Sequence, residues 1–334
     1  MDQRSRAIQG MAPGIQFACL LNGQGGCTEL TEGRTWDWRQ DNGLLWIHLE
    51  RQEPDCRRWL TQMSGLDLMI VDALLAEESR PRVEIYDDSM MVVLRGVNRV
   101  EHETPEDLVP IHLWIDKDRV ISVRDSGQVL WALRDVREAL WAGHGPPTAG
   151  ALFVQIVEKL VRDMEPLIDD IETEIDALDD SFSATPHTHA RRSLSAIRRR
   201  ATKLRRWILP QREALNRVHY QDMTWLSPRE AVRLREVADR LVRYIESLDA
   251  DRDLAATLHD DLNALRSEQI GRNTHRLMMM ATILLPPTLT AGLLSQRLDL
   301  ILHGGEPWAF GIAIAVELAM MPAIWWLMRR ARWL

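Results

Sequence analysis

The sequence predicts an α+β membrane protein, in which a water-facing N-terminal part precedes two C-terminal transmembrane helices. Residues 277–294 read LMMMATILLPPTLTAGLL and carry no charge. Residues 307–328 read PWAFGIAIAVELAMMPAIWWLM and carry one, Glu317. Each run is close to the ~20 apolar residues that cross a bilayer core of about 30 Å. The mean hydropathy of the whole chain is negative, so most of the remaining residues are expected to face water.

The composition of the 334-residue chain argues against several classes of protein. The net charge is −8 and basic residues are interleaved with acidic ones, so no nucleic-acid partner is predicted. The three cysteines, Cys19, Cys27 and Cys56, cannot all pair and form no CxxC, which fits a reducing compartment. The sequence has no GxGxxG, P-loop, HExxH or nucleophile-elbow pattern. We therefore expect neither an enzyme nor an organic cofactor, and the N-terminus has no apolar signal segment.

Residues 1–145 are predicted to form an α/β cytoplasmic domain, because apolar runs rich in β-branched residues alternate with helical patterns. The predicted strands cover residues 15–21, 44–49, 90–97, 109–115 and 119–124. The predicted helices cover residues 55–64, 67–75 and 127–141. The sequence GHGPP at 143–147 marks the end of this domain.

Residues 146–226 are predicted to form a helical hairpin. The first helical stretch, 148–182, is acidic in its second half, and the second, 187–220, is basic in its first half. Opposite charges on consecutive helices favour an antiparallel pair that neutralises itself, with metal or partner binding by the acidic face as the alternative.

Residues 227–276 are predicted to form a stalk helix that leads into a two-span hairpin at 277–334. The sequence SPRE at 227–230 has Ser as N-cap, Pro at N1 and Glu at N3. Apolar residues then recur every three or four positions, and no proline interrupts until Pro286. An unbroken helix from 228 to 295 would be roughly 100 Å long. One stalk and two spans cannot enclose a pore, so we expect an oligomer whose first spans line the axis.

Arginines flank both apolar runs and predict the topology. Three precede the first run and three follow the second: Arg266, Arg272, Arg276, Arg329, Arg330 and Arg332. The positive-inside rule therefore places both termini in the cytoplasm.

Four stretches resemble one known family. They are NGQGG at 22–26, ALLAEESRPRV at 73–83, RNTHRLMMMATILLPPTLTAGLL at 272–294 and RRARWL at 329–334. Nearly the whole chain is similar to the CorA-like divalent metal ion transporters, and within them to the zinc transporter ZntB branch. The resemblance implies a homopentamer in the bacterial inner membrane. Five copies of the first span would line a pore for divalent metal ions, zinc in this branch and moved inward with protons, while the second span would face lipid.

The sequence departs from this family at the end of the first span. The family has Gly-x-Asn there, a turn that presents backbone carbonyls and an amide to a hydrated cation, and this chain has Ser295, Gln296 and Arg297. Arginine cannot accept a hydrogen bond. A guanidinium about 8 Å from a divalent ion costs roughly 1 kcal/mol in water, or about 5 kcal/mol for five copies. Pairing with Asp299 or Glu306 would cancel much of this. Two functions therefore stay open: transport, or a membrane-anchored oligomeric metal sensor or scaffold that has lost conduction.

The candidate site residues form four groups. The pore-lining face, at helical spacing, is Leu277, Ala281, Leu285, Thr288, Gly292 and Ser295. The pore mouth is Gln296, Arg297 and Asp299. The candidate metal ligands are His303, Glu306 and the stalk residue Asp260. Glu317 is the candidate for proton coupling, because an intramembrane carboxylate is rare. Each group also has a purely structural alternative. In these alternatives the apolar pore-lining residues serve only for packing, the loop residues form an ordinary polar loop, Asp260 lies on a solvated stalk, and Glu317 is a neutral, packed glutamate.

Overall fold

The computed structural model describes residues 14–30, 35, 38–39, 43–77, 80–98, 107–180, 187–219, 221–296 and 307–330. The chain divides into two compact units, Met1–Leu258 and His259–Leu334. The first unit contains a sheet with its covering helices and the first part of a long helix. The second contains the rest of that helix and one further helix.

The first unit is built on a seven-stranded sheet with the strand order β2-β1-β3-β7-β6-β5-β4. Among the described strands, β3 and β7 run parallel to each other, and the other neighbouring pairs are antiparallel. The strands are β1 Ile15–Leu21, β2 Cys27–Glu29, β3 Leu45–Glu50, β4 Arg82–Tyr86, β5 Ser89–Gly96, β6 Val109–Ile115 and β7 Arg119–Arg124. All five predicted strands are confirmed, whereas the short β2 and the mixed-polarity β4 were missed.

Both faces of the central strands are buried, which explains why their sequences are apolar runs without alternation. One face is covered by α1 (Pro54–Gln62) and α2 (Leu68–Leu74), and their side chains share a core with Trp38, Ile47 and Trp114. The other helices of this unit are α3 Trp131–Trp141, α4 Ala149–Arg162, α5 Glu165–Asp180 and α6 His187–His219. Helices α4 and α6 contact the strands, and α5 packs on α6.

The β6–β7 turn is held by the carboxylate of Asp116. Its Oδ1 accepts the backbone N–H groups of Asp118 and Arg119 at 3.0 and 2.9 Å. Its Oδ2 accepts the Trp114 indole N–H at 2.9 Å and the Arg119 Nε–H at 2.7 Å. A buried charge is stable only when it is paired and hydrogen-bonded, and here all four bonds come from one turn and its flanks.

The predicted helical hairpin forms, but its first helix is broken. The sequence predicted one helix over residues 148–182, and the structure has a turn at Asp163 and Met164 between α4 and α5. Pro166 follows in the first turn of α5, where its missing N–H and its ring prevent continuation from α4. Helix α6 agrees with the predicted 187–220, and Arg200 on it pairs with Glu174 on α5 at 2.5 Å.

The long helix α7 spans Pro228–Gln296 and starts at the predicted capping box. The Glu230 carboxylate accepts the Ser227 N–H at 2.7 Å, and the Ser227 hydroxyl accepts the Glu230 N–H at 3.3 Å. Glu230 also accepts the hydroxyl of Thr148 at 2.8 Å, and Thr148 is itself the N-cap of α4. One buried carboxylate therefore joins the starts of two helices.

The second unit contains the remainder of α7 from His259 and helix α8, Pro307–Arg330. The predicted unbroken helix is confirmed, since α7 continues through Pro286 and Pro287 to Gln296. Within the described residues, no helix meets the length and hydropathy needed for a membrane span. The two predicted transmembrane helices therefore stay a prediction.

A hydrogen-bonded network surrounds His48 in the middle of the sheet. Its Nδ1 lies 2.8 Å from the Ser122 hydroxyl, and its Nε2 accepts the Arg124 Nε–H at 3.0 Å. Arg124 in turn pairs with Glu50 at 2.7 Å. Burial first, and then the charges of Arg124 and Arg137, lower the pKa of His48 to about 3, so the imidazole is neutral.

We predict that Gly150→Ala destabilises the first unit. A Cβ at this position would lie 2.6 Å from the Trp225 carbonyl oxygen and 2.5 Å from Glu230 Oε2. The clash should lower the free energy of unfolding by about 1–3 kcal/mol, measured as a lower melting temperature in detergent. Gly271→Ala is the matched control, since that position is open, and it should be neutral or stabilising. An unchanged melting temperature for Gly150→Ala would contradict the crowded contact.

We predict that His48→Gln makes the stability of the protein less sensitive to acid. The folded pKa lies near 3 and the unfolded value near 6.5, so between these values only the unfolded chain binds this proton. Stability is therefore lost as the pH falls below about 6.5. Between pH 7 and 5 the wild type should lose about 2 kcal/mol more than the variant. Melting curves at each pH measure the difference, and parallel curves would show that His48 does not titrate this way.

Candidate functional site

The six predicted pore-lining residues lie on one face of α7. At about 100° per residue, positions 277, 281, 285, 288, 292 and 295 fall within a sector of about 80°. Leu277 and Leu285 are 66% and 62% exposed, and Ala281, Thr288 and Gly292 are exposed as well. Ser295 belongs to the last turn of the helix. The structure thus places these residues along one face of α7, and the first five are not covered by the described residues.

The polar member of this face has a local hydrogen bond. The Thr288 hydroxyl donates to the Leu285 carbonyl at 2.9 Å, one turn back. Pro286 and Pro287 just before it have no N–H, so the helix lacks two of its regular backbone donors here. Because a hydroxyl that donates keeps its lone pairs, the Thr288 oxygen can still accept a hydrogen bond or coordinate a cation.

Large apolar side chains are exposed on the other sides of this segment too. Met278, Met280 and Leu289 are 61–64% exposed, and on α8 the exposed fractions of Val316 and Leu318 are 57% and 68%. Single exposed apolar residues are common on proteins, but large apolar patches usually mark sites that contact a membrane or another protein. At the end of α8, the Arg329 and Arg330 guanidinium groups lie 5.3 and 5.5 Å from the rings of Trp325 and Trp326.

Four other predicted residues fall outside the described part of the chain: Arg297, Asp299, His303 and Glu306. Gln296 is the last residue of α7, and Glu317 lies near the middle of α8. Asp260 is exposed on α7 in the second unit. Across the described ranges, no three His, Cys, Asp or Glu side chains are grouped to hold a metal ion.

Sequence reasoning missed a buried carboxylate on α7. Asp251 is 6% exposed, and its Oδ2 has no hydrogen-bond partner among the residues that the structure describes. Burial first, and then Glu172 and Asp176 of α5, raise its pKa to about 6. The sequence did contain a signal for this burial. The buried face of α7 follows a spacing of three or four residues, and Asp251 occupies one of its positions, in the series 248, 251, 255, 258 and 262.

Comparison with known proteins agrees with the predicted resemblance. The sequence model of the family described as CorA-like Mg2+ transporter protein matches residues 41–330. The zinc transport protein ZntB of Enterobacter sp. (strain 638) is 29% identical over 322 residues, covering 96% of this chain and 97% of that protein. The ZntB of Pectobacterium carotovorum subsp. carotovorum (strain PC1) is 30% identical over 321 residues, covering 96% of both.

A solved structure extends the likeness to the fold. The full-length CmaX protein superposes with a TM-score of 0.83 at 29% identity, over 97% of this chain and 99% of that one. The α/β sheet unit and the long helix thus have counterparts in a protein that is matched over nearly its whole length. With a family match over most of its residues, this chain belongs to the CorA-like Mg2+ transporter family, whose members are transporters and not enzymes.

Proposed function

We propose that this protein transports divalent metal cations, with zinc as its substrate, through the axial pore of a homopentamer. The observation that carries the proposal is the family match, which runs from the sheet through α7 to the end of α8. Zinc is supported by the two relatives named as zinc transport proteins, which match nearly their whole length. The candidate pore residues have oxygen or apolar side chains and by themselves do not select zinc.

The proposed location is the bacterial inner membrane, with two spans and both termini in the cytoplasm. The uncharged run 277–294 and the arginines that flank both runs support this topology. The exposed apolar side chains of α7 and α8 agree with a lipid bilayer and further copies of the chain as the covering partners.

The proposed pore is lined by the face from Leu277 to Ser295. Five copies would form apolar rings interrupted by rings of hydroxyls at Thr288 and Ser295. Such a lining binds cations weakly, and weak sites let an ion leave as well as enter. Gln296, Arg297 and Asp299 would form the mouth, with His303 and Glu306 collecting metal outside it. Glu317 would carry the coupled proton.

Asp260 is the proposed cytoplasmic ligand. One copy offers too few ligands at this position, since the described residues contain no three-ligand group. Symmetry around the axis would repeat Asp260 in every subunit and supply the others.

One observation favours a second function, a membrane-anchored metal sensor or scaffold without conduction. Arg297 replaces the asparagine of the family motif, and a ring of guanidinium groups at the mouth would repel cations. The two functions differ in whether Arg297 faces the axis unpaired or pairs with Asp299 or Glu306.

We predict saturable zinc uptake into liposomes that contain the purified protein. Arg297→Asn should raise the rate if the guanidinium faces the axis, because a ring of positive charge is removed. Arg266→Asn is the matched control, since it removes one arginine from the stalk. A zinc-sensitive dye inside the liposomes measures the flux.

Each outcome of the flux measurement has one meaning. Uptake by the unmodified protein supports transport and shows that Gly-x-Asn is dispensable here. Uptake by Arg297→Asn alone identifies the sensor or scaffold as the natural function. Absence of uptake in both would reject transport.

We predict that one face of α7 is open to water. In a background with Cys19, Cys27 and Cys56 replaced by serine, cysteines at Leu285 and Thr288 should react with a charged methanethiosulfonate reagent, and zinc should slow the reaction. Ile283→Cys is the matched control, because it lies about 160° from the centre of the proposed face. Equal labelling at all three positions would contradict the assignment of this face.

A further inference from the structure

Three arginines form a row on the outer side of α6. Arg192, Arg199 and Arg206 are seven residues apart, which is two helical turns and about 10.5 Å. They lie opposite the buried side that carries Leu194, Ile197 and Leu204. All three are exposed, and within the described residues none of them makes an ion pair. We call these three residues the basic row.

The basic row borders an open groove of about 580 Å³. The groove is lined by Ser195, Arg198, Arg199, Thr202, Lys203 and Arg206, and this lining contains no carboxylate. A neighbouring groove with Arg191 and Arg192 shares Ser195 and Arg199 with the first. Like charges this close on a helix repel one another, so the surface favours a partner with several negative charges.

A matching row of carboxylates lies on α5. Glu165, Glu172 and Asp179 are also seven residues apart and exposed, and in the described part of the chain they form no ion pairs. We call them the acidic row. Two groups of α7 are close enough to α5 to sense its charges. Burial first, and then Glu165, raise the pKa of Tyr244 to about 12, and burial first, and then Glu172 and Asp176, raise the pKa of Asp251 to about 6. Asp251 of α7 is buried, and among the described residues its Oδ2 has no hydrogen-bond partner.

In the part of the chain that the structure describes, the two rows do not pair with each other. Helices α5 and α6 contact each other, and the ion pair between them uses Glu174 and Arg200, which lie outside both rows. The basic row lies on the side of α6 that faces away from the buried core. Each row is therefore available to pair with opposite charges on another molecule.

We propose that the basic row of α6 binds the acidic row of α5 in a second copy of this chain. This inference rests on the proposed homo-oligomer and assigns one of its interfaces. The equal spacing lets three pairs form together, and Arg199 meets Glu172 at the centre whichever way the two helices run. Arginine and carboxylate groups pair through two parallel hydrogen bonds. Because the two surfaces differ, the contact is head-to-tail, which gives a closed ring when the rotation between copies closes and an open filament when it does not.

Disulfide cross-linking of the full chain tests the contact. With the native cysteines replaced by serine, Arg199→Cys combined with Glu172→Cys should give a ladder of covalent multimers after mild oxidation in detergent. Arg199→Cys combined with Asp170→Cys is the matched control, since Asp170 is exposed on the other side of α5 and should give no ladder. A double variant that stays monomeric, or that cross-links only within one chain, overturns the proposal.

Charge reversal supplies a second, independent test. Arg199→Glu and Glu172→Arg should each weaken assembly by about tenfold in light scattering at low salt. The combined swap should restore it, and high salt should weaken the unmodified assembly. A swap no better than the single variants would reject the pairing. The zinc flux measurement distinguishes failure of this interface from failure of the proposed transport. Cross-linked multimers without zinc flux would contradict transport but not the interface. Zinc flux without cross-linked multimers would contradict the interface but not transport.

Discussion

The Glu230 carboxylate fixes where the long helix begins, and the arrangement of the first unit depends on it. It accepts hydrogen bonds from Ser227 and Thr148, so it caps α7 and holds the N-cap residue of α4 at the same time. Gly150 allows this approach because it has no Cβ. Nearby, Asp88 at the β4–β5 turn accepts the backbone N–H of Thr224 at 2.7 Å, and its carbonyl accepts the Trp225 indole N–H at 2.8 Å. The segment before α7 is thereby joined to both the sheet and the helical layer.

Charge is distributed differently in the sheet and in the helical hairpin. In the sheet, charges are matched inside the chain, as in the buried Asp116–Arg119 pair and the half-buried Glu50–Arg124 pair, at 2.7 Å each. Along α5 and α6 many charges are exposed and unmatched within the described residues. Desolvation makes an unmatched charge costly in a core but not on a surface. The surfaces with surplus charge are therefore the ones available for recognition.

Much of the fold could be predicted from the sequence, because its signals are local. Val109–Ile115 and Arg119–Arg124 coincide with their predicted strands, and the SPRE capping box marked the start of α7. The break at Asp163 was missed because the apolar stripe continues across it and Pro166 suits a first helical turn as well as a kink. For the site, periodicity was enough to place six residues on one face of α7. Asp251 was missed because its environment comes from α5, about eighty residues earlier in the chain.

The one parallel pair in the sheet has a consequence for the order in which the chain folds. Strand β3 pairs with β7, and Glu50 lies opposite Arg124, so the centre of the sheet joins segments that are far apart in sequence. From β4 to β7, each strand pairs with the next strand in the sequence, so this part of the sheet can form through contacts that are short in sequence. During synthesis, the edge of β3 therefore stays unpaired until β7 has left the ribosome. The apolar runs at 277–294 and 307–328 are synthesised after β7, so the sheet can close before either run leaves the ribosome.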